Sequence, residues 1–143
     1  MTIADNDLPA GLLDWVASEV KGEIVRLQRH VARREAWTID LKLADGSTLE
    51  GFLRLQRDTA GDPRRLEREV RIMRAIAENG IPAPAIYAWS DEFRAALFER
   101  DPGRSDIDKV EDTSQQRAVM EDFIKVVARF HKLETDALGL NDI

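Results

Sequence analysis

The most constraining feature of this 143-residue chain is a carboxylate on the apolar side of a strongly patterned helix. At about 100° per residue, Leu66, Val70, Met73 and Ala77 fall within a narrow arc. Ile72 and Ile76 widen that arc to one side, and Glu69 lands between Ile76 and Met73. Glu67, two positions earlier, points to solvent. An ionised carboxylate left unpaired in apolar surroundings is expensive, so the helix demands a Lys or Arg on a facing strand. Arg54 is the candidate.

The pattern around this helix supplies the strands. Asp7 can cap a first helix from Leu8 to Val20, with Leu12, Leu13, Val16 and Val20 on one face and Gly22 as its end. From Glu23 to Leu55 the period falls towards 2. Ile24, Arg26 and Gln28 alternate with Val25, Leu27 and Arg29. In the next strand, about Ala36 to Leu43, Trp37, Ile39, Leu41 and Leu43 alternate with Thr38, Asp40 and Lys42. Asp45-Gly46 turns into a third strand, completing an antiparallel meander. There Leu49, Leu53 and Leu55 share one face, and Glu50, Phe52, Arg54 and Gln56 share the other.

Asp62-Pro63 opens the helix of Glu69, and Asn79-Gly80 closes it. Ile81-Pro82-Ala83-Pro84 leads into an extended run through Ile86, Tyr87 and Trp89. Ser90-Asp91-Glu92 then turns into a fifth strand, about Arg94 to Arg100. Thr113 with Gln116 predicts a capping box for a last helix reaching about Thr135. On it Val119, Phe123, Val126, Val127, Phe130 and Leu133 form one stripe, which Met120, Ile124 and His131 extend to nearly half the circumference. A helix with so wide an apolar arc wants two neighbours. The stretch around Val119 to Leu133 is therefore expected to meet a second copy of the chain or a further lobe.

Length and charge narrow the classes. A chain of 143 residues can hold one domain with a real core but not two substantial ones. The 27 acidic and 21 basic residues give a net charge of -6 and are interleaved, which argues against a nucleic-acid partner. With no cysteines there are no disulfides or thiolate metal sites, and no apolar run reaches the roughly 20 residues of a membrane span. The opening residues lack the basic and apolar regions of a signal peptide, so no membrane association and a cytoplasmic location are expected.

Several segments, in order, resemble the aminoglycoside phosphotransferase family, small-molecule kinases with a protein-kinase-like fold. They are Arg34 to Trp37, Phe52-Leu53-Arg54, Leu66 to Arg74, Gly80-Ile81-Pro82-Ala83-Pro84, Leu97 to Arg104, and Val127 to His131. The resemblance spans essentially the whole chain and the first half of a typical member. It implies an α+β fold: a kinase-like N-terminal lobe with a five-stranded antiparallel sheet, a packed helix, an N-terminal helix and a C-terminal helix. Residues 1–104 would be the nucleotide-binding lobe, and 105–143 a connector and first helix leading toward a C-terminal lobe.

The resemblance also implies roles. Arg54 matches the third-strand basic residue that contacts nucleotide phosphates, and Glu69 the helix acid that holds it, a pairing the carboxylate argument reaches independently. Phe52 would sit over adenine and Phe98 at the back of the pocket. Glu99, Arg100 and Asp101 would form the hinge whose backbone groups read the adenine edge. Such a site works by positioning ATP with magnesium and neutralising charge. The His30 to Glu35 loop carries no glycine where relatives have small residues that approach phosphate.

No counterpart of the family's catalytic base or metal-binding aspartates precedes Ile143, so no catalytic or metal-ligating residue is assigned. The chain alone is expected to transfer no phosphate and to bind ATP weakly or not at all. Plainer alternatives accompany each reading. The Arg54 and Glu69 pair could simply fix helix to sheet, Arg33 and Arg34 could be solvated turn residues, and His131 an ordinary helix histidine. Asp106, Asp108, Glu111 and Asp112 read as an acidic connector, and Trp15, Trp37 and Trp89 as packing residues. The competing function is a non-enzymatic lobe serving as an interaction or dimerisation module.

Overall fold

A computed structural model describes residues 8–30, 35–57, 60–103 and 106–142. The elements are α1 (Leu12–Val20), β1 (Gly22–Arg29), β2 (Ala36–Leu43), β3 (Thr48–Leu55), α2 (Arg65–Glu78), β4 (Ile86–Ser90), β5 (Ala95–Glu99) and α3 (Thr113–Phe130), with 3-10 turns at Ile107–Lys109 and Thr135–Leu138. The five strands form one antiparallel sheet in the order β1-β2-β3-β5-β4. This is the expected α+β architecture of a kinase-like N-terminal lobe.

The chain forms two compact units, Met1–Arg71 with Pro84–Arg100, and Ile72–Ala83 with Asp101–Ile143. The boundary passes through α2, so Arg65–Arg71 belongs with the sheet. Among the described residues no helix is long and apolar enough to cross a membrane.

Strand parity sorts the sheet unit into two faces. One is dry: Trp37, Ile39 and Leu41 of β2, Leu53 of β3 and Leu97 of β5 are fully buried together with Leu12 and Val16 of α1. The even positions of β3 look the other way, where the first turns of α2 lie over them. Gly51 belongs to the dry face, where a Cβ would come within 2.8 Å of Leu97 Cδ1 and 2.9 Å of Ile39 Cγ2. At that point only a hydrogen leaves room for both neighbours.

Several boundaries differ from expectation. Helix α1 starts at Leu12, not Leu8, because Gly11 at φ 84 breaks the preceding turn, and Asp7 lies outside the described residues. Its end falls on Lys21 at φ 52, whose N–H reaches the Ala17 and Ser18 carbonyls, while Gly22 already belongs to β1. The alternation of β1 is interrupted by a register shift between Ile24 and Arg26, so Ile24 and Leu27 both pack on the core although their numbers differ in parity. In α2 the buried stripe is rotated: Leu66, Val70 and Ala75 are buried, while Ala77 is exposed.

Helix α3 is capped by Asp112, whose carboxylate accepts the Ser114 and Gln115 N–H groups, and not by Thr113. The Ser114 hydroxyl and these N–H groups hold the Asp112 carboxyl below the usual range. Gln116 instead donates to the Val110 carbonyl at 2.6 Å. The helix ends at Phe130, with His131 as its cap.

Replacing Gly51 with Ala is expected to destabilise the chain by about 1 to 3 kcal/mol through overpacking between Ile39 and Leu97. Chemical denaturation measures this. A loss under roughly 0.5 kcal/mol would show that the two side chains repack freely.

Candidate functional site

Arg54 and Glu69 meet. The two guanidinium nitrogens face the two carboxylate oxygens, Nη1 bonded to Oε1 and Nη2 donating to Oε2 at 3.0 Å. The side chains are 12% and 23% exposed, so the pair is sheltered but reachable from one side. Three neighbours explain the geometry. Ala36 and Ala96 are the cross-strand partners of Arg54 and are both buried, so each contributes only a methyl group beside the guanidinium. The Phe98 ring lies 5.6 Å from the guanidinium carbon, close enough for a cation–π contribution.

A second fastening holds α2 to the same strand. Gln56, two residues beyond Arg54 on the same face, is 4% exposed. Its Oε1 accepts the Leu66 N–H at 2.7 Å, satisfying one of the unpaired donors at the helix start, and its Nε2 donates to the Asp62 carbonyl at 2.7 Å. Asp62 adds its own side-chain bond to the Arg64 N–H at 3.0 Å and an ion pair with Arg68 at 2.9 Å. Sequence reasoning put Gln56 on the right face but gave it no role. The usable signal was an amide side chain where parity and the Asp62-Pro63 start converge.

The aromatic candidates flank the pair. Phe52 is half-buried, opposite Phe98 across the β3 and β5 ladder, with its ring edge-on to His30 at 5.3 Å. Phe98 is buried at 4% exposure. Residues 31–34, Arg33 and Arg34 among them, lie outside the described residues, as does Arg104.

The hinge residues are held in different ways. The Glu99 N–H donates to the Ala85 carbonyl at 2.7 Å, and the Glu99 carboxylate accepts the Ala85 N–H at 3.0 Å. The Arg100 N–H donates to the Glu50 carbonyl at 3.1 Å. Its side chain turns back over the sheet to Glu50 and to Asp40, 2.9 Å from Asp40 Oδ1, as an ion pair and not an aligned hydrogen bond. Arg26 lies 3.9 Å from the other Asp40 oxygen, so the paired carboxylates Asp40 of β2 and Glu50 of β3 are flanked by one cation on β1 and another at the end of β5. Only strand register reveals this row. Partial burial, with the Glu99 carboxylate nearby, pushes the Tyr87 phenol above its ordinary range. Asp101 belongs to the second unit, where its carboxylate accepts the Gly103 N–H at 2.7 Å. Among the described residues no group of three or more acidic, histidine or cysteine side chains is placed to hold a metal ion.

Replacing Glu69 with Ala leaves Arg54 sheltered without its anion. The expected loss is about 2 to 3 kcal/mol, between the roughly 1 kcal/mol of an exposed pair and the 3 to 5 kcal/mol of a fully buried one. Denaturant unfolding decides, and a loss below about 1 kcal/mol would show that solvent replaces the carboxylate.

The sequence model of the Phosphotransferase enzyme family matches residues 41–143, a stretch that includes all seven residues from Phe52 to Asp101 considered above and leaves out α1 and β1. No curated protein and no solved structure matches the chain. The match covers well over half of the sequence, and the chain belongs to the phosphotransferase enzyme family.

Proposed function

We propose that the sheet unit is the nucleotide-binding lobe of an ATP-dependent small-molecule phosphotransferase. The observation that carries the reading is the two-point Arg54 and Glu69 pair, sheltered beside Phe98 on the face opposite the dry core. A guanidinium with five donors can keep a carboxylate and still offer N–H groups to phosphate oxygens. Arg54 would therefore contact the phosphates, with Glu69 holding it in place. Phe52 would cover the base and Phe98 would close the pocket behind it. Glu99 and Arg100, at the end of the sheet unit, would line the adenine edge. Magnesium bound with ATP would neutralise phosphate charge. No residue of this chain is assigned as catalytic base or metal ligand.

A second reading rests on α3. Val119, Met120, Phe123 and Ile124 are 45 to 61% exposed, and no residue of this helix is buried. Such a surface suits a non-catalytic module that associates through this helix with a second copy or with a further lobe.

Two measurements separate the readings. Titrating the chain with magnesium-ATP by NMR should give saturable shifts around Arg54 and Phe98 with affinity near or weaker than roughly millimolar, and Arg54→Ala should weaken binding about tenfold or more. Saturation unaffected by Arg54→Ala would remove the phosphate role. Sedimentation at micromolar concentration should show a dimer if α3 pairs with its own copy, and a monomer of the chain's 16.2 kDa would remove self-association.

A further inference from the structure

A cleft of about 160 Å³ opens between the start of α2 and the hairpin joining β4 to β5. Pro63, Arg64 and Glu67 line it on one side and Trp89, Asp91 and Arg94 on the other, all within the sheet unit. One water needs only ~10–15 Å³, and drug-sized sites begin near ~300 Å³, so this space suits a small molecule. Its charged walls are not equivalent. Arg64 donates to both Glu67 oxygens, at 2.8 and 2.7 Å, so these two neutralise each other. The Asp91 carboxylate accepts only from a neutral donor, the Trp89 indole N–H at 3.0 Å. Among the described residues the Arg94 guanidinium has no hydrogen bond or ion pair, and Asp91, three residues away, does not reach it. One anion and one cation thus remain without a charged partner beside the indole of Trp89 and the ring of Pro63. The backbone of Arg94 adds a second sign. It closes the hairpin at φ 46, a left-handed conformation that suits glycine and strains a residue with a Cβ, while its carbonyl accepts the Gln56 N–H at 3.0 Å. A strained arginine with no partner for its charge points to a use for the side chain.

We propose that this cleft binds a free α-amino acid with an apolar side chain. Arg94 pairs with its carboxylate, Asp91 with its ammonium, and Trp89 and Pro63 cover the side chain. The two unneutralised charges select the class. A simple carboxylate would meet Asp91 as a like charge and a simple amine would meet Arg94, whereas a zwitterion answers both. Asp91 and Arg94 are exposed, so each contact is partly screened and the affinity is expected in the millimolar range. One wall belongs to the first turn of α2 and the other to the hairpin, so a bound amino acid also favours the folded sheet unit by mass action. This site stands whether or not the chain binds a nucleotide.

The experiment titrates the full chain with L-leucine and follows the Trp89 indole N–H by NMR. Two analogues accompany it: isocaproate, which lacks the ammonium, and isoamylamine, which lacks the carboxylate. Leucine is expected to saturate and to bind roughly three- to tenfold more tightly than either analogue. Arg94→Gly, which suits the left-handed backbone, should weaken leucine and isocaproate by a similar factor, leave isoamylamine alone and not lower the melting temperature. If that variant is unstable, Arg94→Asn, which tolerates the same conformation, takes its place. Asp91→Asn keeps an acceptor for the Trp89 indole and should weaken leucine and isoamylamine but not isocaproate. A structural defect would instead weaken all three together. Leucine bound no more tightly than its analogues overturns the proposal. So does leucine affinity unchanged in both the Arg94 and the Asp91 variants, or a Trp89 signal that does not move up to roughly 100 mM leucine.

Discussion

A sheltered cation on the middle strand of the sheet decides how the surrounding parts must be arranged. Arg54 can be held away from water only if an anion meets it, and Glu69 is that anion. The requirement orients α2, since only one side of the helix carries the acid. It also orients β3, since Arg54 must leave the dry face to the leucines on either side of it in sequence. The small neighbours Ala36 and Ala96 follow from the same need, because larger side chains at those cross-strand positions would crowd the guanidinium. Hydrophobic burial against α1 gives the sheet its stability, and the ion pair gives its other face a defined chemistry.

The division of labour between faces also explains where charge is tolerated. Arg26, Asp40, Glu50 and Arg100 stand in one row across the polar face, with Arg26 and Glu50 exposed at 59% and 58% and Asp40 and Arg100 sheltered at 15% and 22%. The pairs made by the exposed members add little stability singly. Their effect is geometric: the Arg100 side chain is drawn back over β2 and β3, so the end of β5 is fixed by side chain and backbone alike.

Much of this was legible in the chain. Period-2 alternation in β2 placed Trp37, Ile39 and Leu41 on one face, and all three are fully buried. The parity of Arg54 and the helical angle of Glu69 predicted their contact from either side. What escaped had local causes. The shift after Ile24 in β1 depends on pairing with β2, which no single-strand pattern encodes. The start of α1 turned on the positive φ of Gly11, and the cap of α3 on a choice between the adjacent competent residues Asp112 and Thr113, where hydrogen-bond geometry decides. The bond between Gln56 and Leu66 and that from the Ala85 N–H to the Glu99 carboxylate join residues 10 and 14 positions apart, beyond the reach of any periodicity. The wide apolar arc of α3 was readable as well, and Phe123 and Ile124 are indeed exposed, at 59% and 61%.

The amide of Gln56 has a further consequence when set beside the ion pair. Leu66 and Glu69 are three residues apart, about 4.5 Å along the helix axis at 1.5 Å per residue, and Arg54 and Gln56 are two apart, about 6.6 Å along the strand. The helix and strand are therefore pinned at two separate points, like a ruler clamped at both marks. Sliding α2 by one turn, about 5.4 Å, would break both clamps at once, so the first turns of the helix have a single register along the strand.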